Sequence, residues 1–160
     1  MTTVPRRSAE EQARLDAALA ELFRSRIAFN ATLGLEIVTV RHPAPRIRLP
    51  MRPALVGHFL HGRLHGGVTS ATLDAMGSLA LMVAIGEHHA AETATQVLQR
   101  FARMGTIDLR IDYLRPGIGT HFVASAEVTR LGGRIGSTQM RLVNDQGTLI
   151  ATGSAAYVIS

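Results

Sequence analysis

Between His65 and Glu87 the chain carries a single ionisable side chain, Asp74, in a run otherwise built from Ala, Leu, Met, Val, Ile, Gly, Ser and Thr. A helix that is apolar on nearly every side either spans a membrane or lies inside a domain core. Asp74, the small and hydroxylated residues around it, and the hairpin-forming strands that follow all favour the core. A lone carboxylate in such a helix is unfavourable unless something uses or satisfies it. The rest of the chain must therefore supply a sheet to cover this helix and a purpose for Asp74.

At 160 residues and 46% apolar content the chain has room for one core. It contains no Cys, which excludes disulfides, thiolate metal sites and a cysteine nucleophile. Its formal charge is +5, and all 17 basic residues are Arg. They are scattered, without the basic cluster and interleaved aromatics of a nucleic-acid surface. No secretory signal is evident, and the expectation is a cytoplasmic protein with neither a membrane nor a nucleic acid as partner.

In chain order, residues 1–7 read as a loose tail. Ser8 with Glu11 can cap a helix, and Leu15, Leu19, Leu22 and Phe23 form its apolar stripe up to about Arg26. A short helix or turn follows at Asn30 to Leu33, closed by Gly34. Strands are expected at 35–41 and 46–51, separated by His42-Pro43-Ala44-Pro45. Residues 52–64 read as irregular, and 88–103 as a loop with a helical piece. Strands then recur at 106–114, 120–131, 134–143 and 148–159. Gly132-Gly133 and Asn144-Asp145-Gln146-Gly147 mark hairpin turns. The expectation is an α+β fold with a six-stranded antiparallel sheet around a long central apolar helix, the last four strands forming a meander. Residues 1–26 would be a tail and helix extension, and 27–160 the domain proper.

Two features of the helix carry chemistry. Gly66 and Gly67 lie at its start, where backbone N–H groups are free and the dipole is positive. Such donors can stabilise the oxyanion of an acyl-transfer reaction. Asp74 is a candidate general base or nucleophile. Gly66 and Asp74 are eight residues apart, about 12 Å along the axis. One acyl carbon cannot touch both in one chain. If both serve one reaction, a two-fold dimer must bring Asp74 of one copy to Gly66 of the other. His58 and His61 lack a third ligand of suitable spacing, so no metal is expected.

His65-Gly66-Gly67 followed by Leu73-Asp74-Ala75 resembles the signature of hotdog-fold acyl-CoA thioesterases of the phenylacetate-pathway (PaaI-type) group. Gly62, the run from Thr106 to Gly117, and the pattern from Arg134 through Asp145-Gln146-Gly147 to Gly153 are also similar. The resemblance covers about residues 27–159. It implies a hotdog fold and a homodimer or homotetramer hydrolysing acyl-CoA, with no cofactor because CoA is part of the substrate. It implies that Gly66 donates to the thioester carbonyl and that Asp74 of the partner copy activates water or attacks. His65 would set the loop, and Thr106 would position the nucleophilic water. Gly67 and Arg134 join the substrate-binding residues, and one or two of Arg63, Arg100, Arg103, Arg115, Arg130 and Arg134 would meet the CoA phosphates. The family often has an Asn shortly before the His-Gly-Gly motif. Here Gly57-His58-Phe59-Leu60-His61 has none, and His58 stands in for it. The acyl chain is expected against Met76, Leu79, Leu81 and the Leu60 loop, which suits a medium or long chain. Two rival readings are a hotdog hydratase or dehydratase, in which His65 would be catalytic, and an acyl-CoA binder with a structural Asp74.

Overall fold

The structure, a computed structural model, describes residues 5–160. Met1–Val4 of the expected tail lie outside the described residues. Pro5–Arg7 precede α1 (Ala9–Glu21), and Arg7 is not loose. Its backbone N–H donates to the Ala90 carbonyl, and its guanidinium donates to the carbonyls of Gly86, His89 and Glu92. These carbonyls lie at and just beyond the C-terminal end of the central helix, where carbonyl groups have no helical partner and a cation is favoured. That is why the segment is tied down.

Ser8 caps α1 by accepting from the Glu11 N–H. Leu15, Leu19 and Phe23 are buried, and they join the one apolar core that contains the central helix and the sheet. A widened helical turn, Leu22–Arg26, leads to α2 (Ala28–Leu33). Gly34, at φ 75°, ends α2 in the left-handed region that favours glycine.

Next come β1 (Glu36–Thr39), β2 (Arg46–Pro50) and a small hairpin of β3 (Val56–His58) and β4 (Arg63–Leu64). The central helix α3 spans Gly66–His88. A capping box between Thr93 and Gln96 starts α4 (Ala94–Arg100). The chain closes with β5 (Gly105–Tyr113), β6 (His121–Leu131), β7 (Ile135–Asn144) and β8 (Leu149–Val158).

The six-stranded sheet has the order β1-β2-β6-β7-β8-β5, with every pairing antiparallel. The expected four-strand meander is only partly present. β6, β7 and β8 form it, but β5 pairs with β8 at the far edge and β2 occupies the free side of β6. The cause lies in the connection between β5 and β6. Pro116 cannot donate to a ladder. The segment instead crosses the end of the sheet, held by Leu64 N–H to the Gly117 carbonyl and by Leu114 and Arg115 N–H to the Ile150 carbonyl.

By length and composition α3 could cross a membrane. Here it packs across β2, β5, β6, β7 and β8. Leu73, Met76, Leu79 and Leu81 are fully buried. Gly86 lets Leu15 of α1 and Val97 of α4 close over its last turns.

Candidate active site

Asp74 is half-buried in the middle of α3. Three hydroxyls fix it. The Thr106 hydroxyl donates to Asp74 Oδ1 at 2.9 Å. The Tyr157 and Ser78 hydroxyls both donate to the Asp74 main-chain carbonyl, each at 3.0 Å. Thr106 and Tyr157 are directly opposed in the β5–β8 ladder, so adjacent strands present both side chains to the same turn of α3. Burial first, and the Asp74 carboxylate second, push the Tyr157 phenol well above its ordinary value. Both effects favour the protonated phenol that donates to the Asp74 carbonyl. Asp74 Oδ2 has no protein partner among the described residues, which leaves an acceptor for a proton of water.

That carboxylate opens into a cleft of about 770 Å³. Asp74, Thr106, Ser78 and Tyr157 form its polar end. Leu22, Phe23, Ile27, Phe29, Leu98, Phe101 and Met104 supply apolar wall, and Ala71, Ala75 and Met82 of α3 form its floor. The acyl-chain residues expected from sequence need correction here. Met76, Leu79 and Leu81 are fully buried against the core, and Leu60 is 68% exposed on the β3–β4 loop. Ala71, Ala75, Ser78 and Met82 share the face of Asp74 because residues three and four apart stack on a helix. A larger concavity, about 1080 Å³, lies on the outer face of the sheet and is lined by Arg46, Arg110, Asp112 and Arg141. Asp74 does not reach it.

The start of α3 is a separate centre. His65 is the N-cap, and its Nδ1 accepts from the Gly67 N–H at 2.9 Å. The neutral ring therefore carries its proton on Nε2. The Gly67 N–H is thus occupied, whereas the Gly66 N–H has no protein acceptor among the described residues. The Tyr113 hydroxyl donates to the Gly66 carbonyl at 2.8 Å. Gly57 permits this packing, since a β-carbon there would stand 2.6 Å from His65 Cα. Gly117 does the same against Leu64.

Asp74 and Thr106 thus meet in one cleft, and Gly66, Gly67 and His65 cluster at the other end of the same stretch of helix. His58 is exposed in β3, and its ring stacks on His61 with centroids 4.8 Å apart. Arg134 is exposed in the β6–β7 turn and does not line the cleft. No group of three or more metal-ligating side chains is present among the described residues. Sequence reading did not single out Tyr113, Tyr157 or Asn30. Of these, only Tyr113 lay within a noted motif, the Thr106–Gly117 run.

Thr106→Val should lower kcat about tenfold, the value of one orienting hydrogen bond. KM and melting temperature should change little, because Thr106 is exposed. Steady-state kinetics with a thermal melt checks this. A kcat equal to wild type would mean that Thr106 does not orient Asp74.

Comparison with known proteins identifies the family. Residues 61–151 match the family described as the thioesterase superfamily. The medium/long-chain acyl-CoA thioesterase YigI of Escherichia coli and of Salmonella typhimurium is 33% identical over 141 residues, 88% of this chain and 91% of that protein. A crystal structure from Shewanella oneidensis, related to the thioesterase superfamily, is 36% identical. It superimposes with a TM-score of 0.89 over 96% of this chain and 100% of its own. Mouse thioesterase superfamily member 2 shares the fold at 21% identity, with a TM-score of 0.70 over 96% of this chain and 100% of its own. With Asp74 in the middle of α3 and the free Gly66 N–H at its start, the chain belongs to the thioesterase superfamily and has its hotdog fold.

Proposed function

We propose that the protein is an acyl-CoA thioesterase that hydrolyses a medium- or long-chain acyl-CoA to free acid and CoA. The observation that carries this reading is a carboxylate held by Thr106 at the polar end of an apolar cleft. Asp74 takes a proton from water as the water oxygen bonds to the thioester carbon. The carbonyl oxygen becomes an oxyanion and accepts the Gly66 N–H. The C–S bond then breaks, and the proton passes to the departing thiolate. The reaction calls for no cofactor beyond the CoA of the substrate, and we place it in the cytoplasm.

The oxyanion donor comes from a second copy of the chain. β5 supports this. It is an outer strand of nine residues with an unpaired edge, and it exposes Ile107 and Tyr113. Near one end Thr106 touches Asp74, and at the other Tyr113 touches Gly66. Antiparallel pairing of two β5 strands, centred near Leu109 and Arg110, sets Thr106 of one copy opposite Tyr113 of the partner subunit. The Asp74 cleft of one chain then faces the helix start of the other, and two equivalent sites result. A dimer of such dimers keeps the same sites. In this reading His65 sets the loop, and His58, Gly67 and Arg134 lie toward CoA.

Thiol release across a panel of acyl-CoAs tests the activity. Wild type should release thiol from medium and long chains. Asp74→Asn, which keeps an acceptor for Thr106 but removes the base, should lose about 10²- to 10⁴-fold in kcat. Water addition to an enoyl-CoA without thiol release would favour the hydratase reading instead. Tight binding without turnover would favour the binder.

A further inference from the structure

Asn30 is the one amide side chain in the wall of the Asp74 cleft. It is the third residue of α2, and only 5% of its surface is exposed. Its backbone carbonyl is satisfied by the N–H groups of Gly34 and Leu35. Its side-chain amide has no protein partner among the described residues. Nor is the amide sealed into the core. Among the described residues, Thr138 Oγ1 is the side-chain polar atom that is fully enclosed without a partner. The Asn30 amide is therefore not fully enclosed, and the residue is part of the cleft lining.

An amide offers two donors and a carbonyl acceptor. Much of the lining is apolar, formed by Phe23, Ile27, Leu98, Phe101 and Met104, and its charged members besides Asp74 are Glu21 and Arg26. An unpaired amide in such a wall is unfavourable unless the occupant of the cleft pairs with it. A fully saturated acyl chain cannot do so.

We propose that Asn30 is a specificity residue and that the preferred acyl-CoA carries a hydrogen-bonding oxygen, a hydroxyl or oxo group, on its acyl chain. This rests on the thioesterase reading. The amide N–H donates to either group, and the amide carbonyl accepts from a hydroxyl. The preference should be asymmetric. A site built to hydrogen-bond a substrate oxygen rejects the analogue lacking it, whereas a purely apolar pocket rejects an added hydroxyl only weakly.

The test compares acyl-CoAs of equal length, plain against hydroxylated or oxidised at successive chain positions. For wild type, kcat/KM should be about tenfold higher for one oxygenated position than for the plain chain. Asn30→Leu, apolar and similar in volume, should abolish that ratio. Asn30→Ala serves the same purpose if the leucine variant melts early. Equal wild-type rates at every position overturn the proposal. So does an equal loss on both substrates in the variants, which would assign Asn30 to the lytic water or to the fold. Thiol release from plain chains with no preference would leave the thioesterase reading standing and remove this one. If no acyl-CoA is hydrolysed, the thioesterase reading falls, and the binding of oxygenated against plain chains to wild type and Asn30→Leu still decides the role of Asn30.

Discussion

Asp74→Ala and Gly66→Pro chains, each inactive alone, regain about a quarter of the wild-type thiol-release rate when unfolded together and refolded as an equal mixture. The arithmetic follows from the shared site. About half of randomly formed dimers are hybrids, and each hybrid has one site with both defects and one with neither. The Gly66 substitution is specific in what it removes. Proline has no N–H, so it deletes the oxyanion donor. Gly66 is the first residue of α3, the position where a helix tolerates proline best. His65 before it already has φ −65° and ψ 136°, the extended conformation that a residue preceding proline adopts. The variant should therefore fold, and losing one such donor should reduce kcat about 10²- to 10³-fold. Mixed dimers confirmed by mass that show no recovery would sink the two-chain site. Gly66→Pro with wild-type kcat would remove Gly66 from the mechanism.

Gly77→Ala should unfold early, although alanine favours a helix by about 1 kcal/mol over glycine. A β-carbon at Gly77 would collide with the Tyr157 hydroxyl and stand 2.8 Å from Met140 Sδ and 2.9 Å from Thr138 Oγ1. Tyr157 is 1% exposed and Met140 also 1%, so neither has free space to move into. Overpacking of this kind costs about 1–3 kcal/mol, which corresponds to roughly 2–4 °C of melting temperature per kcal/mol for a chain of this size. The same collision displaces the hydroxyl that holds the Asp74 turn, so kcat should fall as well. A thermal melt and a rate measurement on one preparation decide the matter. A variant as stable and active as wild type would mean that Tyr157 is not a rigid clamp.

Asp74 could be read from sequence because a single charge in a run of apolar residues stands out on physical grounds alone. The strands were legible from their alternation and from Gly132-Gly133 and Asn144–Gly147. Strand order was less so. Hairpin turns report only local pairing, and the placement of β5 beside β8 depends on the Leu114–Thr120 crossover packing on Leu64 and Ile150. The cleft floor was misassigned to Met76, Leu79 and Leu81 for a different reason. A helix apolar on every side has no phase, so its sequence cannot say which stripe meets the ligand. Asn30 and Tyr157 are far from Asp74 in sequence, and only the packing of α2 and β8 brings them into the cleft. Arg7 looked like part of a tail because, apart from Gln12, its guanidinium partners are main-chain carbonyls, which leave no trace in side-chain pattern.

The open edge of β5 bears on solubility as well. An unpaired strand of this length, carrying exposed Ile107 and Tyr113, is a template onto which any extended chain can add. Of its three charges, Arg110 and Asp112 pair with each other and Asp108 accepts from the Ala156 N–H, so they do little to keep another strand away. Pairing with an identical strand removes that template. In the proposed dimer, the contact that completes each catalytic centre also shields the newly made chain from aggregation, so selection for either property preserves the other.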